Sequence, residues 1–198
     1  MDLRAEAELG ERATQARGDV TTRIRERSYR VVGSDAQTLR RCVELLGPPI
    51  EGREGRGCAA YTRWQVRWSY QAREARDGHG AFRPEDVRIA CDATMTLPHW
   101  DAPPGAPVAL VTLWQEVLVE LRAHEEGHVR IGIETAHDVL RAITATPAAP
   151  SEAALRAEVA GRIDAAIASR REAERRYDAT AALGRDARSA LGRLAARR

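Results

Sequence analysis

Residues 114–132 read WQEVLVELRAHEEGHVRIG, and this stretch decides the expected fold. Its apolar residues recur at steps of three and four, which is the spacing of one buried face of an α-helix. Two histidines continue that face where a core would usually place aliphatic residues. The members of the face are Trp114, Val117, Leu121, His124 and His128. The sequence therefore predicts a helix that buries two histidines.

The two histidines form an HExxH motif with Glu125, and this pattern suits zinc. Residues four apart lie one above the other on a helix, so the imidazoles of His124 and His128 can reach one ion. Glu125 can then accept a proton from a water molecule whose pKa the ion lowers to about 7. The motif predicts one Zn²⁺ ion held by His124 and His128, with Glu125 as the catalytic base.

The alternative interpretation makes both histidines ordinary core residues. Gly127 argues against it, because a glycine inside a helix costs about 1 kcal/mol relative to alanine. Buried polar groups without partners cost about 1–3 kcal/mol each, so a core selected for stability alone would favour Leu or Ala here. These costs favour the metal site.

The third metal ligand is left open by the motif. Glu134 follows His128 by six residues, a spacing that some zinc peptidases use after a glycine turn, although Gly132 stands one residue late for that pattern. His137 lies about half a turn round from His128, so an unbroken helix cannot offer both residues to one ion.

Three acidic residues of the next predicted helix are further candidates, as a third ligand or as an outer-shell partner. They are Glu172, Glu174 and Asp178. Asp178 ranks first among all candidates and Glu134 second. His79 and His99 are expected in a loop and at the end of a strand, and their spacing suggests no ligand role.

Upstream of the HExxH helix, two stretches predict a hairpin with a long loop. Residues 62–71 and 87–98 both alternate between apolar and polar positions, and residues 20–33 also favour extended structure. The inward face of the first hairpin strand should carry Trp64, Val66, Trp68 and Tyr70.

Three helices are predicted around these strands. The first follows the N-cap Ser34 and ends at Gly47, and the second covers 107–145. The third follows the N-cap Ser151 and runs to about residue 183. The expected fold is α+β, with a small twisted antiparallel sheet packed on long helices.

A chain of 198 residues suits one domain. We expect a polar N-terminal arm at 1–19, as a frayed helix or disordered, the domain itself at 20–184, and an Arg-rich tail at 185–198. The 31 basic and 29 acidic residues nearly cancel, which argues against a general nucleic-acid or membrane-surface binder. No stretch approaches the roughly 18 apolar residues of a membrane span.

The three cysteines allow at most one disulfide bond. Cys58 and Cys91 lie on neighbouring predicted strands and could pair, and the alternative is that both of them and Cys42 are free thiols. The first 20 residues lack the apolar segment of a signal peptide, so a cytoplasmic location is expected.

The order of several motifs along the chain points to a family. They are Y-x-V-x-G at 29–33, T-x-W-x-V-x-W at 62–68, L-P-x-W at 97–100 and H-E-x-G-H at 124–128. Over about residues 20–184 the chain resembles the bacterial predicted zinc-dependent proteases known as domain of unknown function 922. The resemblance implies a minimal zincin-like fold, with His124 and His128 as zinc ligands and Glu125 as the base. It also implies export, which is the alternative to a cytoplasmic location.

The chain departs from that family near its C-terminus, where members tend to close with Y-D-x-x-T-x-H-G. Tyr177, Asp178 and Gly184 match this pattern, whereas Ala181 stands for the Thr and Leu183 for the His. If that His is a metal ligand in the family, this chain lacks it. A zincin-like domain that binds without catalysis is therefore the alternative to a peptidase.

The expected function is zinc-dependent hydrolysis of a peptide or protein substrate, with no nucleic-acid partner. The substrate is expected to lie extended against a sheet edge, and residues 87–98 are the candidate strand. The sequence leaves the oligomeric state open.

Overall fold

The structure is a computed structural model that describes residues 7–17, 20–50, 53–74 and 80–180. Within these ranges it is an α+β protein with six strands and three helices. In chain order they are β1 (Ala7–Arg17), β2 (Val20–Val31), α1 (Ala36–Leu46), β3 (Pro49–Ile50), β4 (Arg53–Gly57), β5 (Tyr61–Glu74), β6 (Phe82–Trp100), α2 (Val108–Thr144) and α3 (Glu152–Thr180). Several predictions concern positions outside the described residues, namely the tail at 185–198, Leu183 and His79.

Four strands form one mixed sheet in the order β1-β2-β6-β5, while β3 and β4 pair separately. The β5–β6 hairpin is antiparallel as predicted, with Trp64 opposite Ala93. The prediction of a wholly antiparallel sheet is wrong, because β2 and β6 run parallel from Val20 opposite Ile89. The long connection through α1 and β3–β5 allows β6 to return beside β2 in the same direction.

The position of β6 also corrects the predicted substrate edge. β6 has β2 on one side and β5 on the other, so residues 89–96, which make up most of the predicted stretch, are paired on both sides and offer no free edge. Within the described sheet β5 pairs only with β6, so β5 is an edge strand. It also contacts α2, the helix that carries the HExxH motif.

The N-terminal arm predicted at 1–19 contains a strand. β1 pairs antiparallel with β2, from Ala7 opposite Ser28 to Arg17 opposite Val20. The expectation of a frayed helix or a disordered arm is therefore wrong for residues 7–17. Antiparallel pairing with β2, which begins only three residues after β1 ends, gives one side of β1 main-chain hydrogen-bond partners, and this pairing outweighs the helix preference of a polar, Ala-rich segment.

The three helices lie where they were predicted. α2 begins directly after Pro107, whose missing N–H is no loss at a helix start. The Ser151 hydroxyl caps α3 by accepting the amide N–H three residues on. α1 is capped by Asp35 and not by Ser34, because the Asp35 carboxylate accepts the amide of Thr38 at 2.8 Å. No helix of the described chain is both long and apolar enough to cross a membrane.

The helices pack on one face of the sheet and bury two apolar clusters. α2 contacts β6 and β5, and α3 packs along α2. Trp114 belongs to the first cluster and Val139 to the second, and both are fully buried. Trp68 is expected on the inward face of the hairpin, but it is 41% exposed. It lies on the edge strand β5, which has a neighbouring strand on one side only.

The three cysteines are free thiols. Cys58 precedes β5. Cys91 of β6 lies opposite Val66 of β5, and Val66 is eight residues after Cys58. At about 3.3 Å per strand residue, this register keeps the two sulfur atoms far apart. Of the two alternatives that the sequence left open, the structure has the free thiols and not a Cys58–Cys91 bond.

Replacing Val139 by alanine should destabilise the protein by about 2 kcal/mol, because it removes buried methyl groups and leaves a cavity on α2. Val119→Ala is the matched control on the same helix. Val119 is 67% exposed, so this change removes no buried contact and brings only the small gain in helix propensity that both substitutions have in common. Urea unfolding followed by circular dichroism measures both. Equal free energies of unfolding for the two variants would contradict the burial of Val139.

Candidate metal centre

α2 and α3 lie side by side and bring the HExxH motif against the C-terminal part of α3. His124 and His128 project from adjacent turns of α2, and Asp178 reaches them from α3. The two imidazole side chains are largely buried, whereas that of Asp178 is 55% exposed. The cluster therefore lies at the edge of the helix pair, where solvent can reach it from the Asp178 side.

Three donor atoms of this cluster converge on one point. His124 Nε2 is 3.2 Å from His128 Nε2, and Asp178 Oδ1 is 2.9 Å from His128 Nε2 and 3.4 Å from His124 Nε2. Donors bound at about 2.0–2.1 Å to a tetrahedral zinc ion are roughly 3.3 Å apart. The triangle thus has the size of one face of such a coordination sphere, and its nitrogen and oxygen donors are types that zinc binds.

A second carboxylate reaches the other ring nitrogen of His128. Glu174 Oε1 lies 3.4 Å from His128 Nδ1 and accepts a hydrogen bond from Trp64 Nε1 at 2.9 Å. Burial by itself lowers the pKa of His128, but Asp178 and Glu174 outweigh it and raise this pKa to about 9. The imidazoles of His124 and His128 in turn hold the pKa of Asp178 well below its usual range. Without a metal, the two carboxylates therefore favour the protonated form of His128.

Glu125 is buried beside these donors, with 4% of the residue exposed. Burial raises the pKa of its carboxyl group, although the Thr62 hydroxyl and the two imidazoles oppose this shift. Within the described chain Glu125 Oε2 has no hydrogen-bond partner, and neither has His124 Nδ1. A buried carboxylate oxygen without a partner is costly. Its position indicates a partner from outside the chain, such as water or a substrate.

Gly127 allows α3 to approach α2 closely at the motif. A Cβ at this position would lie 2.0 Å from Tyr177 Oη and 2.3 Å from Tyr177 Cζ. The Tyr177 ring stacks on His124 with centroids 5.1 Å apart, and its hydroxyl donates to the main-chain oxygen of His124 at 3.2 Å. The glycine that weakens α2 is thus required by the contact that positions the neighbouring Asp178.

The other predicted ligand candidates lie away from the two histidines. Glu134 pairs with Arg170 of α3, and Glu172 pairs with Arg175. α2 continues unbroken through Gly132, so the turn that would have brought Glu134 to the metal does not form. Among the described residues, the clustered donors include neither Glu134 nor His137. His99, predicted at a strand end, lies near the end of β6 and is exposed.

Two aromatic residues of the site have roles that the sequence analysis missed. The sequence pattern places Trp64 in the core alone and predicts no contact of Tyr177 with the histidines. The two glycines inside α2 carry a signal for both contacts. A Cβ at Gly132 would lie 2.8 Å from Trp64 Cγ, just as one at Gly127 would collide with Tyr177. Helix-interior glycines therefore mark the places where aromatic side chains press on α2.

Comparison with known sequences identifies one family. A family model described as "Bacterial protein of unknown function (DUF922)" matches residues 26–184. The match includes the HExxH motif and Asp178, and the description assigns no activity. No curated protein and no solved structure matches the chain.

Gly127→Ala should destabilise the metal-free protein and weaken metal binding, because the added methyl group collides with Tyr177 and forces α3 away from α2. Gly161→Ala on α3 is the matched control, since a Cβ there meets nothing within 4 Å. The control should gain up to about 1 kcal/mol from helix propensity. Thermal unfolding and zinc titration measure both effects.

Combining Gly127→Ala with Tyr177→Ala should cost less than the sum of the two single changes, because the second removes the collision. Stabilisation by Gly127→Ala equal to that of Gly161→Ala would contradict the close contact between Tyr177 and Gly127.

Proposed function

This chain belongs to the DUF922 family of bacterial proteins, and for it we propose zinc-dependent hydrolysis of peptide bonds. The observation that carries the proposal is the convergence of His124, His128 and Asp178 beside the buried Glu125. A zincin-like role predicted from the HExxH spacing needs a third donor and a general base. Asp178 is the candidate third donor, because it contacts both histidines, and the buried Glu125 is the candidate base.

The residues present fit zinc in donor type, spacing and charge. Two neutral imidazoles and one carboxylate would leave a bound Zn²⁺ ion with one net positive charge and a fourth position open. The unpartnered Oε2 of Glu125 supports an external group at that position. When bound, zinc supplies the polarisation of the scissile carbonyl and lowers the pKa of the attacking water to about 7.

Glu125 is the proton carrier in this mechanism. Its Oε2 accepts a proton from the attacking water and later passes that proton to the nitrogen of the leaving amine. Burial raises the pKa of Glu125, which strengthens the carboxylate as a base. Thr62 Oγ1 donates to the main-chain oxygen of Glu125 at 3.2 Å and anchors this turn of α2 to β5.

The edge strand β5 is the feature that favours an extended peptide as substrate. Thr62 and Trp64 of β5 contact residues of α2 and α3 at the cluster, so the strand runs directly past it. A peptide added along this edge would pair through main-chain hydrogen bonds, which do not depend on its side chains. The substrate class proposed is therefore an extended segment of a peptide or protein.

The second candidate function is a zincin-like domain that binds without catalysis. Leu183, at the position where the family tends to have a histidine, is the residue that favours this function, and it lies outside the described residues. The contacts of Asp178 with both histidines reduce the need for a histidine at position 183 as the third donor. A chain that takes up zinc but cleaves no peptide in a diverse library would favour this second function.

Asp178→Asn should weaken zinc affinity by more than about 100-fold, because it removes the charged donor from a three-donor set. His128→Ala should abolish binding of one equivalent. Glu172→Gln is the control on the same helix, since Glu172 pairs with Arg175 outside the cluster and should not alter affinity. Competition against a chromophoric chelator measures all four proteins, the unchanged chain included.

Zinc affinity should also fall as the pH is lowered, because zinc must displace the proton that His128 keeps up to a pKa of about 9. Below about pH 9, each fall of one pH unit should weaken zinc affinity about tenfold. Above about pH 9, zinc affinity should no longer depend on the protonation of His128. The unchanged chain failing to bind zinc, or Asp178→Asn binding as tightly as it does, would refute the proposed site.

Glu125→Gln should retain the zinc ion and lose peptidase activity by at least about 100-fold, the usual contribution of a general base. Glu126→Gln is the matched control, because this neighbouring glutamate is exposed. Mass spectrometry of a peptide library incubated with each zinc-loaded protein detects the cleavage. Equal activity of Glu125→Gln and the unchanged protein would overturn the assigned role of Glu125.

A further inference from the structure

A line of contacts runs from the sheet to the donor cluster. Trp64 of β5 donates its indole N–H to Glu174 of α3 at 2.9 Å, and the same carboxylate oxygen lies 3.4 Å from Nδ1 of His128 on α2. Each contact joins a different pair of elements. The line therefore ties the orientation of one imidazole to the packing of both helices on the sheet.

We infer that Glu174, held in place by Trp64, is a positioning residue that presents Nε2 of His128 to the metal. The inference rests on the zinc site proposed above. A histidine ligand binds through one ring nitrogen, and the other must carry the proton. An acceptor fixed at Nδ1 selects that tautomer, sets the angle of the ring and strengthens Nε2 as a donor.

The position of Glu174 is itself constrained by close packing. Its side chain is 27% exposed, so the carboxylate is partly shielded from water that could replace the indole. Trp64 presses against α2 where Gly132 leaves room, since a Cβ there would lie 2.8 Å from Trp64 Cγ. Gly132 thus fixes Trp64, Trp64 fixes Glu174, and Glu174 fixes His128.

The two histidines differ in this respect. In the described chain Nδ1 of His124 has no hydrogen-bond partner, and the ring is held by stacking on Tyr177. His128 is therefore the ligand whose orientation is set by a carboxylate beside its second ring nitrogen before a metal arrives. Loss of Glu174 should weaken metal binding without removing a ligand.

Zinc and cobalt(II) binding to the full chain test the inference with three variants. Glu174→Gln keeps the size but not the charge, Trp64→Phe removes the anchoring N–H, and Gly132→Ala displaces the indole while leaving every polar group in place. Each should bind one equivalent of zinc roughly 10–100-fold more weakly. The visible absorption of the cobalt(II) forms should also change, which loss of overall stability alone would not cause. The controls are Glu172→Gln and Gly161→Ala, which should match the unchanged chain.

The outcomes separate this inference from the proposed function. If the unchanged chain binds zinc and both Glu174→Gln and Trp64→Phe bind it with equal affinity and equal cobalt spectra, the positioning role is refuted and the zinc site stands. If the unchanged chain binds no zinc, the proposed function fails and the positioning role fails with it. Should Trp64→Phe not fold, the volume-conserving Glu174→Gln variant decides alone.

Discussion

Tyr177 lies against Gly127 at a distance that no other residue at position 127 would permit, and the rest of the site depends on this contact. It sets how closely α3 approaches α2 at the HExxH motif. Asp178 follows Tyr177 in α3, so the same contact determines how far its carboxylate is from both imidazoles. A glycine that costs helix stability is thus explained by the geometry it allows between two helices.

The site concentrates charge in a place that is only partly open to water. Three carboxylates, Glu125, Glu174 and Asp178, surround two imidazoles, and without a metal they favour the protonated form of His128 and raise its pKa. Arg170 binds Glu134 and Asp138 further along the same helix pair, which holds α2 and α3 together away from the cluster. The donors therefore lie on regular elements whose spacing is set by packing, as a preorganised site requires.

Much of the helical part of the structure follows from local pattern. The spacing of Trp114, Val117 and Leu121 identifies the buried face of α2, and Pro107 and Ser151 mark helix starts. Asp178 is a predicted ligand candidate because it stands, with Glu172 and Glu174, on a second long helix that could face the first. The strands were harder to predict. β1 lies in a polar, Ala-rich segment that lacks the pattern of a strand, although its partner β2 follows it directly. The parallel pairing of β2 with β6 depends on a partner distant in the sequence, and no local pattern reports it.

The amino-acid sequence by itself determined which donor types are present and placed His124, Glu125 and His128 on adjacent turns of one helix, because helical periodicity is a local property. Only the tertiary structure decided which acid completes the set and what holds it there. The sequence ranks Asp178 ahead of Glu134 without placing either of them, and the distances of Asp178 and Glu174 from His128 depend on how α3 packs against α2. That packing is set by Tyr177 at Gly127 and Trp64 at Gly132, two contacts between residues far apart in the chain.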